Sequence, residues 1–129
     1  MRVTPSVMSL HLRYRLWIAE MNSDINVLWI FNDYLAALST KKEESEVNKG
    51  ISQFEQQFTD LRKEIDDLRN EMHLVKMKLA AFAREKKQLD YKTYQADNHT
   101  ALKKRYLAFR DHFEKIKKDF GNFELKWLN

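Results

Sequence analysis

Between residues 47 and 82, apolar side chains recur at Val47, Ile51, Phe54, Phe58, Leu61, Ile65, Leu68, Met72, Val75, Leu79 and Phe82, in steps that alternate between four and three without a miss. A helix is the conformation that brings residues at this spacing onto one side. A stripe of this length demands a partner of matching length along a left-handed, coiled-coil-like seam. At about 1.5 Å per residue the segment runs roughly 55 Å. A chain that has to cover such a stripe is committed to packing helix against helix.

Two further segments can supply the cover. The last one places Leu102, Tyr106, Phe109, Phe113, Ile116, Phe120, Phe123 and Trp127 at the same spacing. Its mostly aromatic positions suit the wide centre of a multi-helix bundle better than a two-stranded zipper. Gly121 interrupts this run, and close approach of a neighbouring helix is one reason for a glycine there. The first segment reads Leu10, Tyr14, Trp17, Met21, Asp24, Leu28, Phe31, Leu35, Leu38, with Asp24 the one polar residue in the stripe. It carries a second stripe beside the first, through Ile18, Asn22, Ile25, Trp29, Asn32 and Ala36. Two adjoining seams on one helix predict two partners.

The connections set the topology. Residues 39–45, STKKEES, are short and polar, and Thr40 with Glu43 has the spacing of a capping box for the second helix. So short a link makes the first two helices antiparallel. Residues 85–97, EKKQLDYKTYQAD, form a longer polar link ending at Asp97, a candidate N-cap for the third helix. Pro5 and Ser6 mark the first helix start. With two glycines and one proline in 129 residues, the chain has almost nothing from which to build hairpins or phosphate loops. The expected fold is all-α: a single domain, an antiparallel up-down-up bundle of three long helices at about residues 7–39, 41–86 and 97–128, with coiled-coil-like packing.

Four segments carry a resemblance. The Trp17–Met21 stretch (W-x-x-E-M), QFEQQFTDLRKEIDDL at 53–68, DNHTAL at 97–102 and FEKIKKDFGNFELKWL at 113–128 are similar to a family of short helical proteins of Bacteroidetes bacteria whose function is uncharacterised. The resemblance implies a cytoplasmic helical bundle and carries no activity, cofactor or catalytic residue with it.

Composition narrows the chemistry. No cysteine is present, which removes disulfides, thiolate metal sites and thiol nucleophiles. The opening residues, MRVTPSVMSLHLRYRLW, lack a signal-peptide pattern, and no stretch nears the roughly 20 apolar residues of a membrane span, so a cytoplasmic protein is expected. The histidines are His11, His73, His99 and His112. None completes the Glu-x-x-His pair that sets two metal ligands on one helix face, so no metal and no other cofactor is expected. His99-Thr100-Ala101-Leu102-Lys103 differs from the H-x-L-K-G pattern of histidine phosphotransfer bundles, with leucine one position late and no glycine. It reads as a partly exposed histidine of a first helical turn. The serines lack a nucleophile elbow, so no catalytic residue and no small-molecule substrate is identified and the chain is expected not to be an enzyme.

The charge balance is 23 basic against 19 acidic residues, a net +4. Lys103, Lys104, Arg110, Lys117 and Lys118 are the residues available for phosphate contacts in a nucleic-acid-associated alternative. They alternate with Asp111, Glu114, Asp119 and Glu124, and the intervening rings fall on the buried seam, so a solvated face is the expected reading. Glu43, Glu44 and Glu46 near one helix start, and Arg84, Lys86 and Lys87 near its end, complement the helix dipole.

Two features remain. If buried, Asp24 needs a partner, for which Tyr14, Asn22 or a residue of the third helix such as Tyr106 is a candidate, and it would then fix helix register. If the helix rotates slightly, Ile25 turns inward and Asp24 moves to the rim. The stripe Ile18, Ile25, Trp29 is a candidate association surface if the bundle leaves it open. The function expected is a non-enzymatic interaction or scaffold bundle that pairs with itself as a homodimer or with a partner helix.

Overall fold

In a computed structural model the protein is described over residues 7–41, 45–85 and 99–127, of which 39–41, 45, 82, 83 and 85 are described by backbone alone. Three helices account for the described residues: α1 (Val7–Lys41), α2 (Ser45–Glu85) and α3 (Thr100–Trp127). Their boundaries lie within a few residues of those the spacing predicts. One difference concerns the first connection. Helical backbone continues through Thr40 to Lys41, so Thr40 is part of α1 and cannot cap α2, which begins at Ser45. Pro5, Ser6, Glu43, Glu44, Lys86, Lys87 and Asp97 lie outside the described residues.

Burial follows the sequence periodicity. Every member of the α2 series from Val47 to Leu79 is buried, and Phe82 is among the residues described by backbone alone. On α3 the seam is buried from Leu102 to Phe120, while Phe123 and Trp127 pack half-buried against its end. On α1 the stripe from Leu10 to Leu38 is buried except for Trp17 and Phe31, which pack half-buried against the core. At about 1.5–3 kcal/mol for each large side chain removed from water, these three seams are the main source of stability.

Cross-helix pairs fix the directions. Asn22 meets Arg69 and Phe31 meets Phe58, so α1 and α2 are antiparallel. Glu71 meets Arg105 and Phe54 meets Phe120, so α2 and α3 are antiparallel as well. Consequently α1 and α3 run parallel, as the pairs Glu20–Tyr106 and Asp24–Arg110 require. The result is the up-down-up bundle that the three stripes predict.

Rings fill the middle. Phe31 of α1, Phe54 and Phe58 of α2, and Phe120 of α3 form a cluster with centroid separations from 4.6 Å (Phe31–Phe120) to 5.8 Å (Phe54–Phe58). The glycines divide differently from what the sequence predicts. A Cβ at Gly121 would meet nothing within 4 Å, so no neighbouring helix presses on it. The close approach is at Gly50, where a Cβ would run into the edge of the Phe123 ring. No described helix is long and apolar enough to cross a membrane.

Candidate functional site

The polar residue in the α1 stripe is the centre of a charged cluster between the parallel helices α1 and α3. Asp24 is buried, at 5% exposure, so the rotation that would put it at the rim does not occur. Its partner lies on the third helix and is Arg110 rather than Tyr106: the Arg110 guanidinium donates to the Asp24 carboxylate. The same guanidinium reaches Glu20 through Nε at 2.7 Å and Glu114 at 3.2 Å. Tyr106 donates its hydroxyl to Glu20 at 2.7 Å. Arg110 also lies over the Phe109 and Phe113 rings, 5.8 and 5.3 Å from their centroids. Arg110 is therefore turned inward rather than offered to phosphates. It directly follows the core residue Phe109 and comes four residues after Tyr106, and this seam-edge position was the available signal.

One level further along, His99 stands immediately before α3. It is buried at 8% exposure, not partly exposed as its first-turn position suggests. Its Nδ1 pairs with the Tyr14 hydroxyl at 2.9 Å, and its ring stacks on Trp17 with centroids 6.1 Å apart. Trp17 in turn stacks on Tyr106 at 5.0 Å. The α1 rings thus grip the start of α3, a contact that no residue spacing within one helix announces.

Burial dominates the proton affinities here. It holds the Asp24 carboxyl above its usual range, against the opposing pull of Arg110 and with help from Glu20 and Glu114. It lowers the His99 imidazole, as do the nearby charges of Arg13 and Lys103. Burial, and then the hydrogen bond and charge of Glu20, lift the Tyr106 phenol well above its ordinary value. Burial works against the Arg110 charge, but Asp24 and Glu20 more than restore it. Perturbed groups of this kind also gather in active sites. Here they hold one another, acid to base across two helices. Two surface grooves, of about 240 Å³ between α2 and α3 beside Glu71 and Arg105 and about 200 Å³ between α1 and α2 beside Trp29 and Arg62, are lined by other residues. Among the described residues no three His, Asp or Glu side chains converge as a metal site would require.

Comparison with known proteins finds no match to this chain: no family model, no curated protein, no solved structure.

The second α1 stripe is only partly open. Ile18 is buried at 7% exposure and is unavailable as an association surface, because α1 packs against two helices and its buried face widens to take it in. Ile25 is half-buried against the core, and Trp29 is 66% exposed. A different face of α1 carries the larger open apolar area. Met8, Leu12, Leu16, Ile30 and Tyr34 all point away from the core and are more than half exposed. The i, i+4 spacings of Met8–Leu12–Leu16 and Ile30–Tyr34 were the signal for it, overshadowed by the stripe through Trp29. α1 is also poor in charge, with six charged residues in 35, where α2 has fifteen in 41 and α3 twelve in 28.

Proposed function

We propose that the protein is a non-enzymatic interaction or scaffold module of the cytoplasm that engages a helical protein partner through the outer face of α1. The observation that carries this reading is the apolar outer face of a helix whose inner face is already buried. A helix apolar on both sides normally has cover on both sides. The interhelical cluster around Arg110 is compatible with the same role, since its charged groups tie α1 to α3 and are occupied with one another. Kinship with the Bacteroidetes helical proteins belongs to this proposal and rests on the four segments quoted above.

Capture from native lysate tests the reading, using tagged wild-type protein and Leu16→Asp, with and without nuclease. A protein held by the wild type under both treatments and lost with Leu16→Asp is the expected result. Retention that disappears after nuclease would transfer the reading to the exposed lysines of α3, Lys103, Lys104, Lys117 and Lys118. Binding to them should then weaken steeply with salt.

A further inference from the structure

The pattern of the α1 outer face identifies its own partner. Leu16 and Ile30 each lie seven residues from Ser23, and Leu12 and Tyr34 each lie eleven residues from it. Seven residues are close to two helical turns, so Leu16, Ser23 and Ile30 share one line along the helix. The residues at its middle, Ala19, Ser23 and Asn26, are small or uncharged and exposed. Two such helices laid antiparallel across Ser23 set Leu16 against Ile30 and Leu12 against Tyr34, twice over. That is the self-matching a two-fold interface needs.

Charge selects the direction. Arg15 and Asp33 are exposed residues on one flank of the line, eight and ten residues from Ser23, and neither has an ion-pair partner among the described residues. In the antiparallel arrangement each Arg15 falls within about 3 Å, along the axis, of the other copy's Asp33. In a parallel arrangement the flanks that carry Arg15 and Asp33 would lie on opposite sides of the seam, and neither pair could form. The area is also sufficient. Large side chains present about 150–200 Å² each when fully open and these five are 51–61% exposed, so they offer about 500 Å² per copy, near the ~500 Å² per partner from which specific interfaces begin.

We propose that the protein forms a two-fold homodimer in which the outer faces of α1 pack antiparallel about Ser23, with Arg15 of each copy paired to Asp33 of the other. This rests on the interaction reading above and names the partner as a second copy.

Sedimentation equilibrium over a range of concentrations should give a reversible dimer. Arg15→Asp alone and Asp33→Arg alone should each weaken it about tenfold, because two attractive pairs become repulsive, and the double exchange should restore it. The native chain has no cysteine, so single introduced thiols report the geometry directly. Ser23→Cys should cross-link two copies with a short bismaleimide. Leu12→Cys should not, since the two positions lie about 33 Å apart along the axis. Cross-linking through Leu12→Cys but not Ser23→Cys would overturn the arrangement, as would single exchanges without effect. A monomer at every concentration would overturn the dimer. If that monomer still captures another protein through Leu16, the interaction reading survives alone; if it captures nothing, both fall. The substituted side chains are all exposed, and a helical circular dichroism spectrum confirms that each variant is folded.

Discussion

Gly50 and Gly121 look alike in the sequence and occupy opposite environments, which makes them a sensitive test of packing. Alanine is favoured over glycine inside a helix by about 1 kcal/mol. At Gly121 the added methyl enters open space, so Gly121→Ala should raise the thermal midpoint by most of that gain. At Gly50 the methyl displaces the Phe123 ring, which packs on Phe54 at 5.1 Å, and overpacking of this kind costs about 1–3 kcal/mol. Gly50→Ala should therefore melt lower than the wild type, and equal gains at both glycines would refute the contact. Asp24 and Arg110 are unequal in a different way. Arg110→Met leaves a buried carboxylate without its cation and should cost about 3 kcal/mol in urea denaturation. Asp24→Leu should cost less, because Arg110 keeps Glu20 and Glu114. The double variant should recover most of the loss, and additive losses would mean the two side chains do not act as a pair.

At the scale of the element, the fold was legible where a helix speaks for itself. The 4-3 series from Val47 to Leu79 and from Leu102 to Phe120 marks the buried sides residue by residue, because burial in a helix depends on azimuth and azimuth follows from spacing. What joins one helix to another was not legible. Nothing within α3 says that Arg110 turns to Asp24, since that depends on the parallel offset of α1 and α3. His99 is the clearest example: alone it reads as a surface residue, and in the bundle it lies beneath Tyr14 and Trp17. This docking has a pH signature. Because the folded imidazole binds a proton more weakly than the unfolded one, its ordinary value being 6.5, its contribution is complete above that value and is lost as pH falls through the lower folded pKa. His73, also lowered by burial but exposed, acts in the same direction. His99→Phe keeps a ring against Trp17 and removes the ionisation, so stability measured between about pH 7 and pH 5 should fall less steeply than in the wild type. An unchanged slope would place the titrating group elsewhere.

For the molecule as a whole, the three helices are not equally bound. Backbones approach one another more often between α1 and α2 than between α2 and α3. The side chains explain it: α3 meets the bundle largely through Tyr106, Phe109, Phe113 and Phe120, whose rings hold the helix axes apart, whereas α2 meets α1 largely through aliphatic residues. Rings compensate with area, but α3 also depends on the Arg110 cluster and the His99 contact, which involve ionisable groups. The α1–α2 pair should therefore be the more persistent unit, with α3 able to open ahead of it. Native-state hydrogen exchange in low denaturant should find the amides between Phe58 and Met72 more protected than those between Tyr106 and Ile116. Arg110→Met should widen the difference by loosening α3 selectively. Identical protection in both stretches, moving together in the variant, would instead mean that the bundle opens as one cooperative body. The distinction bears on function, because the proposed α1 surface belongs to the persistent pair. Its ability to dimerise should then outlast the detachment of α3, and α1 amides should gain protection with protein concentration even where those of α3 do not.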